Sequence, residues 1–300
     1  MKIVTHTWVF LTRSGIGLKD LRLIEETIHQ YKGKRNHFWK YALFQFIFRK
    51  KIKLRGKYFI IHNHWCPGYY HWITEALPRL FHVRAFLDHH ILLLPESFKG
   101  MPLDSIEPLY GKEVYWIPMN KNMVLESLMI PESPLASGVY EKEIFFKLRN
   151  LYSEAVMEKN IKKKFGSKIY ASRSKALRRK VANENEVTAT LAEYGFTIIN
   201  FEDHSFWEQV AMMQQADVLV SVHGAGLSNV LFMREGSRVI ELQKEPVNMG
   251  EAVDVLYKDF SKVMRVKYDV LFCKPVNKNE ALYQADIIVN WQSLKDLLTF

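Results

Sequence analysis

Short apolar runs recur along the chain, each bounded by Gly, Pro, Asn or Ser. They include Tyr58-Phe59-Ile60-Ile61, Ile91-Leu92-Leu93-Leu94, Val114-Tyr115-Trp116-Ile117, Met129-Ile130, Lys168-Ile169-Tyr170-Ala171, Phe196 to Asn200, Val218-Leu219-Val220 and Val239-Ile240. Their length and their β-branched and aromatic content predict strands. Helical spacing fills the gaps. Val187, Leu191 and Tyr194 share one helix face, with Asn183 and Glu186 as a capping-box variant and Gly195 as the stop. Phe206 to Gln215 and Ile287 to Leu298 also read as helices, as does a stretch from Leu18 to Ile28. Val263 to Val266 reads as a further strand. Strands alternating with helices predict an α/β fold with parallel sheets. The Pro- and Gly-bearing stretch Pro131 to Gly138 marks a boundary. We therefore expect an N-terminal domain over 1–137 and a solvated linker helix over 138–165. A second domain would cover 166–285, and a terminal helix over 286–300 would pack back on the N-terminal half.

Composition bounds this picture. The chain has 300 residues, 48% of them hydrophobic, enough for one large domain or two ordinary ones. Two cysteines, Cys66 and Cys273, cannot build a disulfide framework, which leads us to expect a reduced, cytoplasmic setting. The first residues are too short and interrupted for a signal peptide, and no apolar run approaches the ~18 residues of a spanning helix. The net charge of +10 calls for an anionic neighbour, and nucleic acid, anionic lipid and phosphorylated substrates all qualify. No nucleic-acid module is visible, and the aromatics gather near histidines rather than along a basic stripe. Residues 37–57 join an aromatic run to a basic one. They read either as an interfacial segment on anionic lipid or as core followed by a solvated turn, and the lack of two clean faces favours core.

Candidate chemistry concentrates in three stretches. In Ala216 to Leu242, a strand runs into the turn His223-Gly224-Ala225-Gly226, then a helix and a second strand. Such a turn leaves helix-end amides unpartnered and removes side chains where a ligand would approach, a ready anion site. The glycines would also suit turn geometry alone, but His223 at the mouth and Glu241 after the next strand favour the ligand. Between Lys168 and Val187, the arginines of Ser172-Arg173-Ser174 and Arg178-Arg179-Lys180 follow a strand, where α/β folds bind ligands and guanidinium forks suit a pyrophosphate. A solvated basic surface is the alternative. In residues 62–80, His62, His64 and His71 stand among Trp65, Tyr69, Tyr70 and Trp72. Helical spacing puts His71 and Glu75 on one face, with Pro78 ending or kinking the helix. The spacing lacks a metal-ligand signature, so this is a candidate site for proton transfer, in a cleft lined by His64, Trp65 and Trp72.

Together, YYHWITEALPRL, SRSKALRRKVANENEV and HGAGLSNVLFMREGSRVIEL resemble the signature segments of the family 61 glycosyltransferases, often labelled capsular polysaccharide biosynthesis proteins in bacteria. The resemblance covers about residues 58 to 245 and leaves roughly 50 residues at each end outside it. One departure is Arg234-Glu235-Gly236, where members commonly carry proline before the glycine. The resemblance implies a GT-B-like fold with two Rossmann-like domains facing a cleft, and inverting transfer from a nucleotide sugar to a saccharide or lipid-linked saccharide. On it, Arg178, Arg179 and the amides of His223, Gly224, Ala225 and Gly226 hold the diphosphate, with Asn229 nearby and Glu241 on the ribose, while His71 and Glu75 face the acceptor. No D-x-D occurs, so no metal or other cofactor is expected. Walled by Trp65, Tyr69 and Trp72, Glu75 is expected to be desolvated, with a raised pKa, and to act as the base while His71 orients the acceptor; the reverse assignment stays open.

Overall fold

The computed structural model describes residues 2–28, 32–87, 89–132, 137–246, 253–281 and 283–299. They form two units, Met1–Ile144 and Phe145–Phe300. Part of the expected boundary, residues 133–136, lies outside the described residues.

The first unit is a seven-stranded sheet. Its strands are β1 (Lys2–Leu11), β2 (Gly17–Lys19), β3 (Arg22–Leu23), β4 (Lys51–Phe59), β5 (His90–Pro95), β6 (Val114–Ile117) and β7 (Asn122–Glu132), in the order β3-β2-β1-β7-β4-β5-β6. Strands β7, β4, β5 and β6 run parallel to one another, while β1 pairs antiparallel with β7 and β2, and β2 with β3. This sheet is therefore mixed, and only its parallel part resembles a Rossmann unit. The Leu18 to Ile28 stretch is not a helix. Asp20 and Leu21 both adopt positive φ between the paired Lys19 and Arg22, the geometry of a tight hairpin turn, so local turn chemistry overrides helical spacing. Residues 37–57 become helix α1 (Arg35–Phe48) and strand β4. Phe38 and Ala42 of α1 pack with Phe10, Ile16 and Leu18, so only part of the stretch is core. A helical run follows: α2 (Tyr69–His71), a π turn (Trp72–Ala76) and α3 (Leu77–Val83), with α4 (Met101–Ile106) after β5.

Helix α5 (Lys142–Glu158) opens the second unit. It is not a solvated linker, because Phe145, Leu148, Tyr152, Ala155 and Val156 are buried along one face. Tyr152 meets Phe206 and Phe232 edge-on. The strands are β8 (Lys168–Ala171), β9 (Thr197–Ile199), β10 (Val218–Val222), β11 (Arg238–Lys244), β12 (Lys267–Pro275) and β13 (Ile287–Ile288), in the order β13-β12-β11-β10-β8-β9. All pairs are parallel except the β13 edge. The five parallel strands follow a doubly wound order, second-first-third-fourth-fifth. Strands β10 and β11 are buried almost throughout, as sheets covered on both faces require.

The helices are α6 (Glu184–Glu193), α7 (Phe206–Gln215), α8 (Leu256–Val263) and α9 (Trp291–Leu298). The expected strand at Val263 to Val266 is instead the end of α8 and a turn. The expected capping box at Asn183 does not form; its amide bonds Glu186 and the Val289 carbonyl, and its oxygen accepts from the Val289 amide. A capping box forms at Ser205 and Glu208 instead. The apolar side of α9, Leu294 and Leu298, lies in this unit's own core with Val187 and Leu191.

Candidate active site

In open α/β sheets, ligands bind beyond the carboxyl ends of parallel strands, where the strand order reverses. Each unit has one such point. In the first, β4 leads to β5 on one side while β7 lies on the other. The loops after β4 and β7 carry Asn63, His71, Glu75 and Ser137.

Glu75 sits in the π turn. Pro78 has no N–H to return to Thr74, and the turn before it widens, so that the Leu77 amide bonds the Trp72 carbonyl five residues back. The Glu75 carboxylate is buried and fully engaged. His71 Nδ1 lies 2.6 Å from Oε1, and Ser137 Oγ donates to the same oxygen at 2.7 Å. Asn63 Nδ2 at 3.2 Å and Arg79 at 3.4 Å donate to Oε2. Burial alone would raise its pKa, as the sequence suggested. The His71 hydrogen bond, the Arg79 charge and Ser137 outweigh burial and hold the carboxyl at about 2. An ionised Glu75 only accepts, so His71 Nδ1 donates to it, and Nε2 is the nitrogen left to face a substrate. Among the described residues, Nε2 has no hydrogen-bond partner.

The aromatic residues around this pair divide. Trp65 is exposed, and its ring lies 5.5 Å from that of His71. His64 packs on Phe38 and Trp65, and burial lowers its pKa to about 4. Trp72 is not an acceptor contact: it is wholly buried, donates from Nε1 to Ser105 Oγ at 2.7 Å and meets Phe98 edge-on. His62 is buried against Phe98 and is likewise held neutral, at about 4.

In the second unit the strand order reverses between β8 and β10. The loop after β8 carries the arginines and the loop after β10 carries His223-Gly224-Ala225-Gly226. The expected α-helix after this turn is a 3-10 helix, Ala225–Phe232. Gly224 is extended, and its role is close approach: a Cβ there would lie 2.8 Å from Arg173 Nη1. Arg173 also donates to the carbonyls of Arg179 and Arg178. Arg179 donates from Nη1 to the His223 carbonyl at 3.2 Å, and its Nε is buried without a partner. Burial and the neighbouring arginines lower the pKa of both. Arg178, expected on the diphosphate, instead points outward to Gln284.

Glu241 is also placed differently from expectation. It is 0% exposed. Its Oε1 takes His223 Nδ1 and Gln243, and its Oε2 takes the Tyr268 hydroxyl at 2.7 Å, so the carboxylate is engaged inside the core and out of reach of a ribose. Asn229 is buried too, and its amide donates to Gln209. What the turn offers a ligand is the backbone of Gly224, Ala225 and Gly226 and two guanidinium groups.

Residues 69–240 match the Glycosyltransferase 61 family. The span is more than half of the chain and holds most of both clusters. The chain belongs to glycosyltransferase family 61. This family 61 chain is 26% identical over 185 residues to the EGF domain-specific O-linked N-acetylglucosamine transferase of Drosophila melanogaster, covering 58% of this chain and 33% of that protein. It is 37% identical over 78 residues to protein O-linked-mannose beta-1,4-N-acetylglucosaminyltransferase 2 of Xenopus tropicalis, covering 25% of this chain and 14% of that one. The human protein of the same name is 36% identical over the same length. The chain thus spans a third or less of the length of these relatives.

Sequence reasoning placed Arg173 among the arginines of the anion-binding loop, but the resemblance assigned the diphosphate to Arg178 and Arg179 instead. Arg79 was findable, one helical turn beyond Glu75. Ser137 was not, since nothing local ties it to Glu75.

Proposed function

We propose that this family 61 chain is an inverting glycosyltransferase, moving a sugar from a nucleotide-sugar donor to an acceptor hydroxyl. The convergence of Arg173 and Arg179 on the Gly224 turn, at the point where the second sheet reverses order, carries the reading. Two cations and the amides of a glycine turn at the start of a helix make a fit for a diphosphate. His71 is the base. As the acceptor oxygen attacks the anomeric carbon, its proton passes to Nε2, and Glu75 stabilises the imidazolium through Nδ1–H. The bond to the diphosphate breaks in line, and the electron pair leaves on the nucleotide, where the arginines neutralise it. The reading includes the GT-B arrangement and the cytoplasmic setting, and it needs no metal because guanidinium groups take the part of a cation.

Both relatives are named as N-acetylglucosamine transferases, which makes a nucleotide-linked N-acetylglucosamine the first donor to test. The acceptor is a saccharide in surface-polymer assembly on the resemblance in the sequence. The relatives' names add protein-linked acceptors to the panel. A thermal-shift panel of nucleotide sugars, followed by mass spectrometry of acceptor mixtures with and without EDTA, tests the proposal. A stabilising donor and a product whose yield survives EDTA are expected. No stabilisation by any nucleotide sugar would sink the reading, and turnover restored only by manganese would sink its metal-free part.

A further inference from the structure

Helix α1 is apolar on both its buried and its exposed side. Phe38 and Ala42 enter the core, while Phe44, Ile47 and Phe48 stand in solvent at 50%, 57% and 69% exposure. Phe44 and Phe48 pack on each other, 5.0 Å between ring centres. Trp8 of β1 and Leu21 of the β2–β3 turn, both more than half exposed, line a groove with Phe46 of α1. Phe44, Ile47 and Phe48 share the outward face of α1 rather than scattering singly, which marks an interaction surface.

The rim of this surface is basic. Lys40 on α1, Arg49 and Lys50 after it, and Lys51 and Lys53 on β4 are exposed. The Lys53 ammonium lies 5.1 Å from the centre of the Trp8 ring, and the Lys51 ammonium 5.0 Å from that of Phe46. Their stems lie along apolar surface with the charge at the edge. No acidic residue occurs between Glu26 and Glu75 in the sequence. Acids come near from elsewhere: Asp20 lines the groove, Glu25 pairs with Arg35 at the start of α1, and Glu126 of β7 takes the Gly56 amide.

We propose that this face of the first unit docks on an anionic bilayer surface. Aromatic and aliphatic side chains enter the headgroup boundary, and the lysines and arginines meet lipid phosphates and carboxylates. Fourteen residues of helix reach only about 21 Å, short of the ~30 Å hydrocarbon core, so α1 lies on the surface rather than spanning it. A second copy is the poorer occupant, since face-to-face pairing would press the basic rims together.

Co-sedimentation of the full chain with phosphatidylcholine vesicles, with and without phosphatidylserine, tests this. Binding is expected on the anionic vesicles at low salt, and little on the neutral ones. Lys50→Glu with Lys53→Glu should lower the partition by about 25-fold or more, at roughly fivefold per lost cation. Phe44→Ser with Phe48→Ser should lower it by about tenfold or more through lost apolar burial. These positions are exposed, so thermal melts should stay close to the parent's. The control pair Lys162→Glu with Lys164→Glu, exposed in the other unit, should matter less than about threefold. Three results overturn the proposal: no binding to anionic vesicles, equal loss from the control pair, or a concentration-dependent dimer abolished by Phe44→Ser with Phe48→Ser.

Discussion

Each unit carries a histidine bonded through Nδ1 to a glutamate, and the two pairs differ in what faces the other nitrogen. His71 and Glu75 share one helix, and Nε2 of His71 has no hydrogen-bond partner among the described residues. His223 follows the end of one strand, β10, and Glu241 lies within the adjacent parallel strand, β11. There Nε2 faces Asp254 Oδ2 at 3.7 Å, and the Tyr257 and Tyr283 rings close around the imidazole. Tyr283 in turn donates to Asp254. The same two residue types therefore suit different work. The first pair leaves an acceptor atom for a substrate proton. The second has its other nitrogen enclosed by a carboxylate and two tyrosine rings, and it sits in the turn whose carbonyl receives Arg179.

The largest effect should come from breaking the first pair's free nitrogen. His71→Gln removes the base but not the donor contacts, so kcat should fall by roughly 10²–10⁴-fold with donor affinity kept. His223→Gln should act the other way, weakening the donor and leaving the chemical step at saturation close to the parent's. Single-turnover rates and donor titrations on both variants decide this. If His71→Gln keeps more than about a tenth of kcat, the roles assigned to the two pairs are wrong.

The next effect concerns stability. The fold holds Glu75 ionised down to about 2, well below an ordinary glutamate, so its contribution is whole above about pH 4.5 and disappears as pH falls toward 2. The gap corresponds to roughly 3 kcal/mol. Glu75→Gln should lose about that much at pH 7, partly because buried Arg79 loses its counter-charge, and should lose little more in acid. Urea midpoints at pH 7 and near pH 3 measure the difference. A variant as acid-sensitive as the parent would show that the carboxylate is not held this way.

The three arginines sharpen the donor side of the comparison. Arg173→Ala and Arg179→Ala should each cost about 2–3 kcal/mol of donor affinity, the scale of a charge-assisted contact in a partly buried site. Arg178→Ala, which removes an exposed contact to Gln284, should cost less than about 0.5 kcal/mol. Calorimetric titration with the donor nucleotide separates them, and equal losses at all three would mean that only summed charge matters.

Much of this was legible in the sequence, and the misses have physical causes. The strand-turn-strand at Val218 to Ile240, the anion-binding turn and the His71–Glu75 pair follow from period, glycine placement and helical spacing, all local signals. The missed features depend on distant groups. Glu75 seemed a base because its aromatic neighbours suggested desolvation. What lowers its pKa includes Arg79, one helical turn away, and Ser137, 62 residues away. Glu241 looked available for a ribose because strand ends face ligands, yet Tyr268, Gln243 and His223 take both its oxygens. Arg178 and Arg179 are adjacent and looked equivalent, but Arg179 adopts a positive φ and turns to the His223 carbonyl while its neighbour faces out. Trp72 and Trp65 are equally aromatic, and only burial tells the core residue from the exposed one.

The smallest predicted effect tests the Gly224 turn. Two explanations for this glycine make different forecasts. If it served backbone geometry, alanine would strain the fold and lower the melting temperature. Its φ of 168° is extended, however, and any residue can adopt it. The clash is with Arg173 Nη1, the far end of a flexible side chain, which can move aside at little cost to stability. Gly224→Ala should therefore leave the melting temperature within a few degrees, a change of about 0.5 kcal/mol or less. It should weaken donor affinity by about 1–2 kcal/mol, because the displaced guanidinium no longer converges with Arg179. In an Arg173→Ala background the same substitution should cost almost nothing further, since the side chain it displaces is gone. Additive losses in that double-mutant cycle would mean that the turn and Arg173 act separately, and the converging diphosphate site would have to be redrawn around Arg179 and the backbone alone.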